Sequence, residues 1–111
     1  MKEINWEDFE KLEIRTGTII KAEPFQKAKK SAYKLLIDFG ESGIRKSSAQ
    51  ITTHYLPHEL TGLQIIAVVN FPPKQVADYL SECLVLGTVQ DDGSVILLHP
   101  GKPVTNGLRI A

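Results

Sequence analysis

The sequence has little of what small catalytic or secreted proteins rely on. Cys83 is the only cysteine among the 111 residues, so no disulfide forms within the chain, in keeping with a reducing compartment. Beside Leu84, Val85 and Leu86, that thiol reads as a small buried apolar group, the usual state of a free cysteine. The histidines His54, His58 and His99 lack further ligands at metal-site spacing, and Pro57 interrupts any helical face shared by the first two. No metal and no cofactor is expected. A glycine-rich phosphate loop, a nucleophile elbow and paired carboxylates with a cleft between them are all missing, which argues against an enzyme. No apolar run approaches the roughly 18 residues that span a bilayer. The acidic opening Met1–Asp8 is without the apolar core of a secretory leader. A cytoplasmic protein that does not insert into membranes is the expectation.

Net charge is also absent, because 13 Lys and Arg balance 13 Asp and Glu; taken alone, this counts against a nucleic-acid binder. The balance conceals a segregation. Residues 1–13 carry Glu3, Glu7, Asp8, Glu10 and Glu13 against Lys2 and Lys11, whereas residues 15–34 carry Arg15, Lys21, Lys27, Lys29, Lys30 and Lys34 against Glu23 alone. A neutral chain sorted in this way presents a basic patch. The competing reading is a solvated basic loop without a partner.

The length suits one domain over residues 1–111, and 42% hydrophobic with 23% charged residues is ordinary globular composition. A domain this small gains a limited margin from its own core, so pairing with a second copy adds useful burial. A short helix is expected over 5–12, capped by Asn5, with Trp6, Phe9 and Leu12 on one face that must pack against the barrel or a second subunit. Ile- and Thr-rich residues 13–22 read as a strand in which Gly17 marks a bend or bulge. Tyr33, Leu35, Ile37 and Phe39 alternate with more polar positions, the period of a half-buried strand. The turn 40–43 leads into a third strand at 44–51. Pro57 starts and Gly62 follows a helical turn. Residues 63–71, apolar almost throughout, read as a strand buried on both faces until Pro72-Pro73 ends it. A loop is expected through 74–80, then strands at 82–89 and 95–98.

The lack of long crossover helices argues against a parallel sheet. Short strands with a helical turn between the third and fourth match an all-β, five-stranded Greek-key barrel, the OB-fold. Its barrel would occupy about 13–98, followed by a C-terminal extension over 99–111.

Leu12-Glu13-Ile14-Arg15-Thr16-Gly17-Thr18-Ile19 resembles the first strand of the tRNA-binding domain, an OB module also found attached to some methionyl- and phenylalanyl-tRNA synthetases. Lys46-Ser47-Ser48-Ala49-Gln50-Ile51 and Val69-Asn70-Phe71-Pro72-Pro73 are similar to the CsaA group, the stand-alone bacterial and archaeal branch. Ser81-Glu82-Cys83-Leu84-Val85-Leu86-Gly87 and Pro103-Val104-Thr105-Asn106-Gly107 complete the likeness, which runs from about Phe9 to Ile110. The resemblance implies a homodimer formed largely by the N-terminal helix and the C-terminal part, placing Trp6, Phe9, Leu12, Leu108 and Ile110 at its interface. It also implies binding of tRNA, and of unfolded or export-bound polypeptides as a chaperone linked to protein secretion and its machinery. The chain departs from the wider pattern in reading Phe25-Gln26-Lys27-Ala28-Lys29-Lys30 where many relatives have a His-Pro-Asn-Ala-Asp-like loop. Leu84 also stands where many have Met.

For tRNA or another structured RNA, recognised by shape through phosphate and 2′-hydroxyl contacts, the candidates are Lys27, Lys29, Lys30, Lys34, Arg45, Lys46 and Lys74. Ser47, Ser48, Gln50, Asn70 and Ser81 are the candidate polar contacts. A dedicated RNA binder with no chaperone role is the alternative function. For an extended polypeptide, Phe71, Pro72, Pro73, Val76, Tyr79 and Leu80 form the candidate apolar surface; the plainer reading is that they cap the barrel.

Overall fold

The computed structural model describes residues 1–111. Asn5 and Asp8 cap α1 (Trp6–Glu10) reciprocally: Asn5 Oδ1 accepts from the Asp8 amide at 2.9 Å, and Asp8 Oδ2 accepts from the Asn5 amide at 3.2 Å. No residue of this helix is buried, and Trp6 is 84% exposed. Its apolar face does not settle on the barrel of its own chain.

The strands that follow are β1 (Ile14–Pro24), β2 (Tyr33–Asp38) and β3 (Ile44–Ala49), with a 3-10 turn at Gly40–Ser42 between the last two. After α2 (Pro57–Leu60) come β4 (Gln64–Val68), β5 (Lys74–Val76), β6 (Tyr79–Ser81), β7 (Leu84–Val85), β8 (Gly87–Val89) and β9 (Val95–Leu97). An antiparallel sheet in the order β3-β2-β1-β4-β7 makes the nearly closed five-stranded barrel that the pattern implies. β1 is long enough to pair with β4 through Ile14–Thr18 and with β2 through Thr18–Pro24. The core consists largely of the inward positions: Ile19, Leu35, Ile37, Phe39, Leu60, Ile65 and Ala67 are fully enclosed. Pro57 stands at the start of α2, and Gly62 beyond it has φ of 91°, a left-handed conformation that glycine adopts without strain.

Three local expectations change. The bulge in β1 lies between Ile19 and Lys21, not at Gly17. A Cβ on Gly17 would come within 2.7 Å of the Phe39 ring and 2.8 Å of Ile37 Cγ2, so this glycine admits core side chains instead of bending the strand. Residues 74–80 are not a loop: β5 and β6 pair as a hairpin around Ala77-Asp78, with Ala77 at φ of 51°. The expected strand over 82–89 is divided into β7, which pairs with β4, and β8, which pairs with β9.

β3 and the segment entering β7 meet without a regular ladder, and side chains supply the missing bonds. The Glu82 amide donates to Lys46 O at 2.8 Å, and the Lys46 amide donates to Glu82 Oε1 at 2.9 Å. Ser47 Oγ donates to Cys83 O at 3.1 Å, and the Ser48 amide donates to Ser81 Oγ at 3.1 Å. Cys83 itself is buried, and burial pushes its thiol pKa up to about 11.

Residues 104–110 run along β1 and are bound to it at several points. Thr16 Oγ1 donates to Thr105 O at 2.9 Å and accepts from the Leu108 amide at 3.1 Å. The Gly107 amide donates to Thr16 O at 2.7 Å, and the Ile110 amide to Ile14 O at 3.0 Å. Gln64 joins its carboxamide to both the carbonyl and the amide of Val104.

Gly17→Ala is expected to destabilise the protein by about 1–3 kcal/mol through overpacking against Phe39 and Ile37. Ser47→Ala, which removes a buried donor and leaves Cys83 O with only a weaker partner, is expected to cost about 1–2 kcal/mol. Urea unfolding followed by tryptophan fluorescence and circular dichroism checks both values.

Candidate functional site

Two adjoining cavities, of about 470 and 360 Å³, share Ser48, Gln50 and Val76 and so make one groove. It runs from the lysine-rich loop, over the end of β3, to the segment between β4 and β5. Lys27, Lys29 and Lys30 line one end together with Ala28, Ala32 and Ala77. Phe71, Pro72, Lys74, Gln75, Ser81, Glu82, Cys83 and Leu84 line the other. Residues considered separately for RNA and for polypeptide thus lie in the same channel.

Several elements hold it in shape. Lys27 Nζ lies 2.8 Å from Asp78 Oδ2, joining the basic loop to the tip of the β5–β6 hairpin. That hydrogen bond holds the Lys27 pKa above, and the Asp78 pKa below, their ordinary values. Beneath the hairpin, Lys34 Nζ and Lys46 Nζ stand 5.3 and 5.1 Å from the centre of the Tyr79 ring, near enough for cation–π attraction. Phe25 meets the same ring edge-on at 5.6 Å. Tyr79 donates its hydroxyl to Leu35 O at 3.0 Å, and burial raises its pKa.

The structure therefore sorts the sequence candidates. Lys27, Lys29, Lys30, Ser48, Gln50, Lys74 and Ser81 line the groove, as do Phe71, Pro72 and Val76. Ser47 is 1% exposed and its hydroxyl serves the barrel closure, so it does not face a ligand. Asn70 is also structural in its contacts: Oδ1 accepts from the Glu13 amide at 2.9 Å and Nδ2 donates to Lys11 O at 2.7 Å. Arg45 donates to Ser42 O and Val69 O. Lys34 is drawn to Glu23 at 3.7 Å and, like Lys46, faces the Tyr79 ring. Tyr79, Leu80 and Pro73 are outside the groove lining; Tyr79 instead anchors β6 through Leu35 O and the Phe25 ring. Sequence reasoning missed Gln75, Glu82, Cys83, Leu84 and the alanines 28, 32 and 77. Glu82 carried a signal, since it follows Ser81 in a motif already singled out.

The four salt bridges of β1, the basic loop and α1 other than that of Lys27 engage Lys11, Arg15, Lys21 and Lys34. Lys29, Lys30 and Lys74 have no acidic partner within 4.0 Å and leave their charge available on the groove rim. No helix is long and apolar enough to cross a membrane.

A family model described as "Putative tRNA binding domain" matches residues 14–109. Among curated proteins, methionine–tRNA ligase of Archaeoglobus fulgidus is 38% identical over 109 residues, and that of Porphyromonas gingivalis is 37% identical over 109. The alignments take in 98% of this chain and 16% of each ligase. Among solved structures, chaperone CsaA of Bacillus anthracis superposes with a TM-score of 0.95 at 52% identity, over 99% of this chain and 100% of that one. The CsaA chaperone protein of Picrophilus torridus gives 0.90 at 49%, over 98% and 100% of the two chains. A MetRS related protein of Pyrococcus horikoshii gives 0.89 at 31%, over the whole of both chains. With its family model matched across nearly the entire barrel, the chain belongs to the tRNA-binding domain family and is CsaA-like in fold.

Proposed function

We propose that this protein is a non-catalytic, CsaA-like binding module that acts in the cytoplasm as a homodimer and holds tRNA, or RNA folded like it, against the groove. The observation that carries this reading is the set of unpaired lysines on the groove rim, Lys29, Lys30 and Lys74. Cations already matched to carboxylates gain little from a phosphate, whereas unpaired ones displace its counterions and draw the backbone in. Ser48, Gln50 and Ser81 add hydroxyl and amide groups suited to 2′-hydroxyls.

Dimerisation is supported by the uncovered apolar residues of α1 and the C-terminal segment. Trp6, Leu12 and Leu108 are 84, 37 and 47% exposed, with Phe9 and Ile110 half-buried beside them. A second copy laid on this surface would cover side chains that the barrel leaves to water.

A second reading has the same groove hold unfolded or export-bound polypeptide in secretion. Phe71, Pro72 and Val76 supply its apolar contacts, and the Bacillus anthracis and Picrophilus torridus relatives are described as chaperones. Both ligands would then occupy one channel and compete for it.

If about four phosphates are neutralised, log K for tRNA falls with log salt at a slope of roughly −3. Replacing Lys29 and Lys30 by Ala is expected to weaken binding and to flatten that slope by about 1 per lysine. Anisotropy titrations across a salt series measure both; a slope near zero in the unaltered protein rejects the electrostatic model. Trp6→Ala is expected to shift the dimer towards monomer at low concentration, read as a falling mass by light scattering. A constant monomer mass for both proteins rejects the dimer.

A further inference from the structure

We infer that the Phe71 end of the groove is a subsite for one unpaired nucleobase, preferring a base that carries an exocyclic amino group. This rests on the RNA reading above and narrows it. The first support is a stiff aromatic platform. Phe71 is 48% exposed and lines the cavity, yet its backbone is confined on both sides. Pro72 follows it and restricts the conformations open to it. Ahead of it, the Val69 amide donates to Glu13 O at 2.8 Å, Val69 O accepts from Arg45 Nη1 at 3.2 Å, and Asn70 joins two further backbone groups. An aromatic side chain on an ordered backbone loses little freedom when a base stacks on it.

The second support is the polar lining. Ser48 Oγ and the Gln50 carboxamide share the cavity with Phe71, and neither side chain is engaged by a hydrogen bond from the chain. Glu82 gives one carboxylate oxygen, Oε1, to the Lys46 amide, and Oε2 has no such partner. A half-buried carboxylate in the groove wall would repel the backbone of the RNA. The same carboxylate accepts hydrogen bonds from base amino groups, as it does from cytosine N4. Gln50 offers both a donor and an acceptor, suited to the paired donor and acceptor edge of adenine. Uracil, whose edge sets one imino N3–H between two carbonyl oxygens and holds no amino group, meets the carboxylate less well, because those oxygens flank its only donor. Lys74, on the same cavity wall, is placed for the adjoining phosphate.

Size agrees with this assignment. The cavity of about 470 Å³ falls within the roughly 300–1,000 Å³ of small-ligand sites, enough for a nucleotide and too little for a duplex. Unpaired bases displayed at loops and ends are what proteins read in RNA by stacking and edge contacts.

The test uses the intact protein and three fluorescein-labelled RNA hairpins of identical stem and loop: one blunt, one with a single 3′ adenosine overhang, one with a 3′ uridine. At matched salt, the adenosine overhang is expected to bind about ten-fold more tightly than the blunt hairpin, with uridine closer to blunt. Phe71→Ala is expected to bring the adenosine probe down to the blunt level with an unchanged salt slope, and Phe71→Trp to restore the difference. Gln50→Ala should narrow the gap between adenosine and uridine. Both positions are exposed, and unaltered thermal unfolding confirms that the variants fold. Equal affinity for all three hairpins overturns the subsite and leaves RNA binding standing. Failure of every hairpin to bind removes the RNA reading as well. In that case, an extended apolar peptide that binds and is lost with Phe71→Ala assigns the groove to polypeptide.

Discussion

Closure of the barrel between β3 and residues 81–83 depends on five hydrogen bonds, four of which use a side chain in place of a backbone partner. β7 is two residues long and pairs with β4, too short to form a ladder with β3 as well. Ser47, Ser81 and Glu82 therefore complete what the backbone leaves open. Buried polar groups carry a cost unless matched, and here no buried side-chain nitrogen or oxygen lacks a partner. The groove is built on this junction, because Ser48, Ser81, Glu82 and Cys83 are at once beside the closure and in the cavity wall. Anything that loosens the barrel there also deforms the groove.

The electrostatics of the site follow from the same economy of parts. A chain of zero formal charge still presents a basic rim because Lys29, Lys30 and Lys74 stand together on the groove without an acidic partner. Asp78 holds Lys27, and Glu23 stands near Lys21 and Lys34. Lys27 of the basic loop and Lys34 of β2 are thus structural, the first fastening the loop to the hairpin turn and the second facing Tyr79 of β6, while Lys29, Lys30 and Lys74 have no acidic partner. Net charge alone is a poor guide to such a surface, since attraction depends on which charges are left unmatched.

Much of the framework can be read directly from the residues. The alternation in Tyr33–Phe39 is reproduced position by position in the burial of β2, Asn5 caps its helix, and Pro57 and Gly62 bound theirs. The β5–β6 hairpin is hidden because its turn is Ala77-Asp78, without the Asn or Gly that signals a two-residue turn. Gly17 looks like a bend because a strand glycine has two uses, and only the packed Phe39 ring tells them apart. Ser47 and Asn70 look like ligand contacts for a related reason. A polar side chain whose partner is a backbone atom 36 or 57 residues away has no local signature. The groove itself joins residues from four separate stretches, so its unity emerges only from the folded chain.

The segment 104–110 laid against β1 has a consequence for how the molecule comes into being. During translation, Ile14 and Thr16 leave the ribosome about ninety residues ahead of the groups that complete their hydrogen bonding. Contacts of such high sequence separation form late and slowly. Until residues 104–110 emerge, that edge of β1 stays unsatisfied and open to stray pairing. In a protein built this way the clasp closes only after synthesis has delivered both of its halves.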